Sequence, residues 1–172
     1  MSAEIAEIGN AILRRHAEPV CDFTAMSLTE AIDNMTLLMN QRQGVGIAAP
    51  QISVSQQILI IASKPNKRYP DAPLLGPLVM LNPEIVIQSE ETDVGWEGCL
   101  SVPNIRGLVT RSVSVDVVYY DRQGERQQIS LEGFPARIFL HEYDHLIGLT
   151  FLDRVASTKD IISEKEFFLL QS

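Results

Sequence analysis

Apolar positions along this chain follow two periods, and the switches between them mark its elements. Leu28, Ile32, Met35 and Met39 recur at intervals of four, three and four, which is one face of a helix. Ser27-x-x-Glu30 is a capping-box pattern, so the helix is expected to open at Ser27 and to stop at Gly44. The methionines on this face are expected to be core packing. The run Gln57 to Ala62 (QILIIA) predicts a buried strand. Leu78 to Leu81 and Glu84 to Gln88 predict two more, split by Asn82-Pro83, and Ile105 to Thr110 another. Val113, Val115, Val117 and Tyr119 alternate at the strand period. Asp121-Arg122-Gln123-Gly124 then reads as a hairpin turn, with Glu125 to Leu131 as the returning strand. From Phe134 the helical period returns: Phe134, Ile138, Leu146 and Leu149 share the stretch Phe134 to Leu149. Pro135 suits an early helical position there, and Gly148 suits the C′ position. Shorter pieces are a helical turn over Asn10 to His16, a polar segment Ser89 to Val94, a strand Thr150 to Arg154, and a last helix from a Ser157 cap to about Leu170. Many strands followed by a helix predict an α+β fold with largely antiparallel sheets, in one domain spanning 1–172.

Composition narrows the class. At 45% apolar and 21% charged residues the chain has a globular profile. No run is long and apolar enough for a membrane span, and the start MSAEIAEIG lacks a basic segment followed by an apolar one. The expected location is the cytoplasm, with no membrane partner. A formal charge of −8 argues against a nucleic-acid surface. In a reducing compartment Cys21 and Cys99 are expected to be free thiols, Cys21 as a small core residue. His16 is expected at the surface.

The helix from Phe134 carries the chemistry. His141-Glu142-Tyr143-Asp144-His145 is an H-E-x-x-H motif. Residues four apart lie one above the other on a helix, so both imidazoles can face one metal ion with Glu142 beside them as a base. With 3 histidines in 172 residues, random order gives roughly 0.004 such matches. The fold is therefore expected to pack its sheets around a central metal-binding helix. Upstream, Gly44-Val45-Gly46-Ile47-Ala48-Ala49-Pro50-Gln51 has two close glycines but no following Lys-Ser/Thr, which argues against a phosphate loop. It reads as a short strand or loop along which an extended peptide can lie.

A catalytic site of this type takes a third protein ligand. The metzincin position is occupied by Phe151, which cannot ligate. Glu164 and Glu166 sit where a thermolysin-like third ligand would fall, though in a charged SEKE face suited to solvent. Cys99 suits a borderline-soft ion, and Gly95 and Gly98 before it allow a tight approach. Spacing alone leaves these two candidates open.

Three blocks together resemble the peptide deformylase family. Gly44 to Gln51 is similar to its G-x-G-x-A-A-x-Q, Glu97-Gly98-Cys99-Leu100-Ser101 to E-G-C-L-S, and His141 to His145 to H-E-x-D-H, in the same order and spacing over about residues 4–155. The family usually has Gln before the first motif histidine, where this chain has Leu140. The resemblance implies hydrolysis of the N-formyl group from the initiator methionine of nascent polypeptides, with release of formate. It implies Cys99, His141 and His145 as ligands of one divalent ion, Fe²⁺ in the cell with Zn²⁺, Ni²⁺ or Co²⁺ as substitutes. It further implies attack by a metal-activated hydroxide with Glu142 as proton shuttle, and Gln51 and the Leu100 N–H as oxyanion donors. The partners it implies are nascent formyl-Met chains and a transient ribosome contact; the mixed-charge tail offers no basic docking helix. Gly46 is expected to pair with the peptide backbone, and Ile47, Phe134 and Ile138 to form the methionine pocket. Around the ligands, Glu97 is expected to pair with Arg106, and Asp144 with Arg111.

Overall fold

The computed structural model describes residues 4–171. The expected domain of 1–172 thus has its first three residues and its last outside the described part. Three helices, α1 (Met26–Gln41), α2 (Phe134–Leu146) and α3 (Glu164–Leu170), combine with strands β1 (Gly46–Ala48), β2 (Ile58–Ser63), β3 (Leu75–Gln88), β4 (Thr92–Cys99), β5 (Val102–Ser112), β6 (Ser114–Tyr120), β7 (Arg126–Glu132) and β8 (Ile161–Ser163). One sheet has the order β1-β2-β3-β6-β7, the other β4-β5-β8, and every strand pair is antiparallel. The α+β expectation with antiparallel sheets therefore holds.

Side-chain alternation on the large sheet explains its packing. On β2, Ile58 and Ile60 face α1, in a cluster with Leu28, Ile32, Met35 and Met39. Leu59 and Ile61 face the other way, in a cluster with Ile138, Phe139 and Leu146 of α2. Successive strand residues point to opposite faces, so a buried central strand is apolar throughout. Helix α2 is buried on nearly all sides and packs against β1, β2, β5 and β7, between the two sheets. Pro135 lies in its first turn, and Gly148 (φ 76°) follows its end in a left-handed conformation. A Cβ on Gly148 would come within 2.8 Å of the Arg14 backbone, so the position excludes side chains as well as right-handed backbone. Leu140 belongs to the α2 cluster. The departure from the usual glutamine thus falls on a core position.

Several boundaries differ from expectation. Helix α1 starts at Met26 after Ala25, without a side-chain cap, so the Ser27 capping box does not form. It ends at Gln41, before Gly44, through Gln43 in the left-handed region (φ 53°). The strands expected on either side of Asn82-Pro83 are one strand, β3, with a bulge between Leu81 and Glu84. Asn82 takes φ 48°, which asparagine tolerates, and its amide bonds both backbone groups of Val20 at 2.7 and 2.9 Å. Pro83 has no N–H to lose there. The segment Ser89 to Val94 leads straight into β4, whose polar and glycine content hid a strand. Thr150 to Arg154 holds a 3₁₀ turn rather than a strand, closed by Asp153 accepting the Thr150 N–H at 2.7 Å. Ser157 caps a short 3₁₀ turn, while Ser163 caps α3. Cys21 is exposed, because Val20 beside it takes the core position. His16 is exposed as expected.

Candidate metal centre

Two elements bring the site together. The β4–β5 hairpin carries Glu97, Cys99 and Ser101 to the face of α2 that bears His141, Glu142 and His145. The Cys99 Sγ and one ring nitrogen of each histidine lie within 4.8 Å of one another. His145 Nε2 is 3.2 Å from the sulfur. Among the described residues this is the one such grouping of three potential ligands. A thiolate with two imidazoles is a donor set suited to borderline divalent ions, and three protein ligands leave a position open.

Charge around the group fits that purpose. Burial pushes the Cys99 thiol up, but His145 and His141 beside it overcome this and hold it well below the ordinary thiol range. Burial likewise opposes a charged His141, yet Cys99 and Glu97 raise it well above the usual imidazole range. The thiolate–imidazolium pairing is a charge arrangement that a divalent ion replaces, releasing the histidine proton. Glu97 accepts from His141 Nδ1 at 2.9 Å, which leaves Nε2 of that ring for a ligand. Phe151, which cannot ligate, is fully buried and stacks on His141 at 6.0 Å between ring centres. Sequence gave no sign of that role beyond an apolar residue after the helix.

Glu97 is the hub of the buried ion network. Arg111 grips it with two bonds of 2.9 Å, and Arg137 adds one of 3.1 Å. Burial alone would raise this carboxyl; His141 and Arg111 hold it well below the carboxylate range. Arg111 also donates to Asp144 at 2.6 Å, and Arg154 closes the chain at 2.7 Å. The expected Asp144–Arg111 pair is therefore present. The expected Glu97–Arg106 pair is not. Glu97 lies opposite Gly107 across the β4–β5 ladder, so Gly107, Val109 and Arg111 share its face while Arg106 points to the other. Arg106 instead lies over Gly98 and bonds Tyr69 and Glu164, at 3.1 and 2.7 Å. That parity was readable from the spacing of Arg106 and Arg111. Arg137 was missed as well, although it precedes His141 by one helical turn.

This network predicts a stability effect. Arg111→Ala strips the buried Asp144 and Glu97 carboxylates of their shared partner. Breaking such a buried pair costs about 3–5 kcal/mol. Urea denaturation should show that loss. Arg111→Lys should recover only part of it, because an ammonium cannot grip Glu97 with a fork.

Glu142 stands apart from the network. Its Oε2 is buried with no hydrogen-bond partner among the described residues. Burial, opposed by the two histidines, raises its pKa to about 7. It presses on Gly46, where an added Cβ would meet its Oε1 at 2.5 Å. Gln51 completes this side: its Oε1 accepts the Ala48 N–H at 2.8 Å, and its Nε2 points to Ser101 Oγ (3.2 Å) and Cys99 Sγ (3.4 Å).

A cavity of about 260 Å³ opens over these groups, lined by Gly46, Gln51, Cys99, Leu100, His141 and Glu142. Phe134 and Ile138, the expected methionine contacts, also line it. Ile47 does not: it faces α1, because only its strand neighbours Gly46 and Ala48 point toward α2. Tyr69, Trp96 and Val102 are further walls that sequence reasoning missed. Glu164 reaches the rim but bonds Arg106 and Arg68, away from the ligand group, and Glu166 is exposed on α3. Neither replaces Cys99.

Comparison with known proteins agrees with this geometry. Residues 2–160 match the family model described as polypeptide deformylase. A Nostoc protein named peptide deformylase 2 is 47% identical over 163 residues, 95% of this chain and 91% of that one. The fold is similar to that of a Met-Ala-Ser-bound class I type b peptide deformylase from Acinetobacter baumannii, with TM-score 0.87 and 46% identity over 90% of this chain and 100% of the other. Peptide deformylase from Thermotoga maritima superposes with TM-score 0.81 at 36% identity, over 91% and 99% of the two chains.

Proposed function

The chain belongs to the polypeptide deformylase family, and from that premise we propose that it hydrolyses the formamide of formyl-Met at the start of nascent polypeptides, yielding formate and a free amine. The observation that carries this reading is the buried, unpartnered Glu142 carboxylate beside the Cys99, His141 and His145 group. Cys99, His141 and His145 hold one divalent ion, which supplies Lewis acidity, making water more acidic and polarising a carbonyl. Fe²⁺ is our assignment for the cell; the same donors accept Zn²⁺, Ni²⁺ or Co²⁺.

The residues then divide the work. Glu142 takes a proton from the attacking water and returns it to the leaving nitrogen as the C–N bond breaks. Its pKa near 7 suits both directions of transfer. The Gln51 N–H that reaches weakly toward the sulfur turns to the oxyanion, joined by the Leu100 backbone N–H. Gly46 lets the substrate backbone pass close to Glu142, since any side chain there would collide with the carboxylate. Phe134 and Ile138 receive the methionine side chain. Residues 1–172 act as one catalytic domain in the cytoplasm, meeting nascent chains in transient contact with the ribosome.

Product analysis on a formyl-Met tripeptide tests the reaction class. Formate plus an intact Met-tripeptide is expected; cleavage between amino acids would indicate a peptidase. Gln51→Ala should lower kcat by about 10²–10³-fold through loss of one oxyanion donor, with metal content unchanged.

A further inference from the structure

The rim of the cavity has a charge pattern that the chemistry of deformylation does not require. Arg42 lines it near Gly44, which packs toward Leu100. Arg68 and Arg106 line it as well, and both bond the single carboxylate of Glu164. Three guanidinium groups thus face one carboxylate, in a chain whose formal charge is −8. Arg42 has no ion-pair partner among the described residues. Glu164 lies beyond the residues 2–160 that match the family model, on a tail that joins β5 through β8 and packs Phe167 against Trp96 and Arg106. Among the described residues the tail therefore delivers the one negative charge of the rim.

Charges deeper in the cavity do not cancel this pattern. Glu97 is enclosed by Arg111, Arg137 and His141. Glu142 belongs to the reaction centre. A peptide whose first residue sits at Phe134 and Ile138 lies beside the arginine group, since Phe134 packs on Tyr69 at 4.7 Å between ring centres and Arg106 donates to the Tyr69 hydroxyl at 3.1 Å. Its following side chains pass within the range at which exposed charges interact, about 8–10 Å at moderate salt. The overall negative charge repels acidic peptides at long range, but that field is largely screened, whereas contacts within a Debye length are screened less.

We propose, resting on the deformylase reading, that Arg42 and Arg68 select formyl-Met peptides with acidic side chains in the residues following methionine, with the buried Arg106 adding positive charge behind them, and that Glu164 limits this preference by engaging Arg68 and Arg106. Arg42, Arg68 and Glu164 are specificity-determining residues; none touches the reacting atoms.

C-terminally amidated peptides of the form formyl-Met-Ala-X, with X as Ala, Asp or Lys, test this on the metal-loaded enzyme. The Asp peptide should exceed the Lys peptide in kcat/KM by about three- to tenfold, mostly through KM. Arg42→Gln and Arg68→Gln should each shrink that ratio, and Glu164→Gln should enlarge it. These side chains are partly or fully exposed, so the variants are expected to fold. A ratio near one, a Lys preference, or a ratio unmoved by all three variants would overturn the proposal. Turnover of the Ala peptide separates the two readings. If it is cleaved and the charged series is flat, the selectivity inference fails alone; if no peptide releases formate, the reaction assignment fails with it.

Discussion

Glu142→Ala should cut kcat for formate release by about 10²–10⁴-fold, the usual contribution of a positioned acid–base group, while the protein keeps its metal. The expectation follows from what Glu142 does and does not touch. It makes no bond to Cys99, His141 or His145, and its Oε2 has no partner at all among the described residues. A buried carboxylate without partners destabilises a fold. Removing it should leave the unfolding midpoint unchanged or raise it. A residue kept for packing would behave the opposite way, losing stability and leaving the rate alone. Glu142→Gln, which preserves shape without the base, should be as slow as the alanine variant. Metal analysis and denaturation on the same samples separate the alternatives.

Cys99→Ala should lose the metal itself. The thiolate is one of three protein ligands, and its sulfur sits 3.2 Å from His145 Nε2. Outer-shell changes typically cost 10–100-fold in metal affinity, so loss of the thiolate should cost at least about 10²-fold. Under dialysis that leaves the parent protein loaded, the variant should be empty and inactive. Added metal should raise the melting temperature of the parent by mass action but not that of Cys99→Ala. Glu164→Gln should remain loaded, since Glu164 bonds Arg106 and Arg68. The opposite pattern, with metal kept by Cys99→Ala and lost by Glu164→Gln, would mean a different third ligand.

How much of this was legible in the sequence depended on whether a local period or a long-range contact decided it. The H-E-x-x-H pair follows from helical spacing alone, and His141 and His145 do meet. Cys99 needed the resemblance, because nothing in spacing chooses it over Glu164. Strand β4 was hidden because Asp93, Gly95 and Gly98 are not strand formers; the strand exists because β5 pairs along its whole length. Gly95 and Gly98 earn their places through contacts invisible in sequence: the guanidinium groups of Arg137 and Arg106 lie where their side chains would be. The misplacement of Ile47 and the mistaken Glu97–Arg106 pair share one cause. Both turn on the two-residue alternation of a strand, which sends Ile47 away from the face of Gly46 and Ala48, and Arg106 away from the face of Gly107 and Arg111.

The buried Cys99, His141, His145 and Glu142 group is proposed as a formamide-hydrolysing site. Its most direct test is the formate yield from a formyl-Met peptide, using protein purified anaerobically with one metal ion per chain. Catalytic release of one formate for each peptide deformylated is expected, abolished by a chelator and restored by Fe²⁺. Stoichiometric metal with no formate released would contradict it.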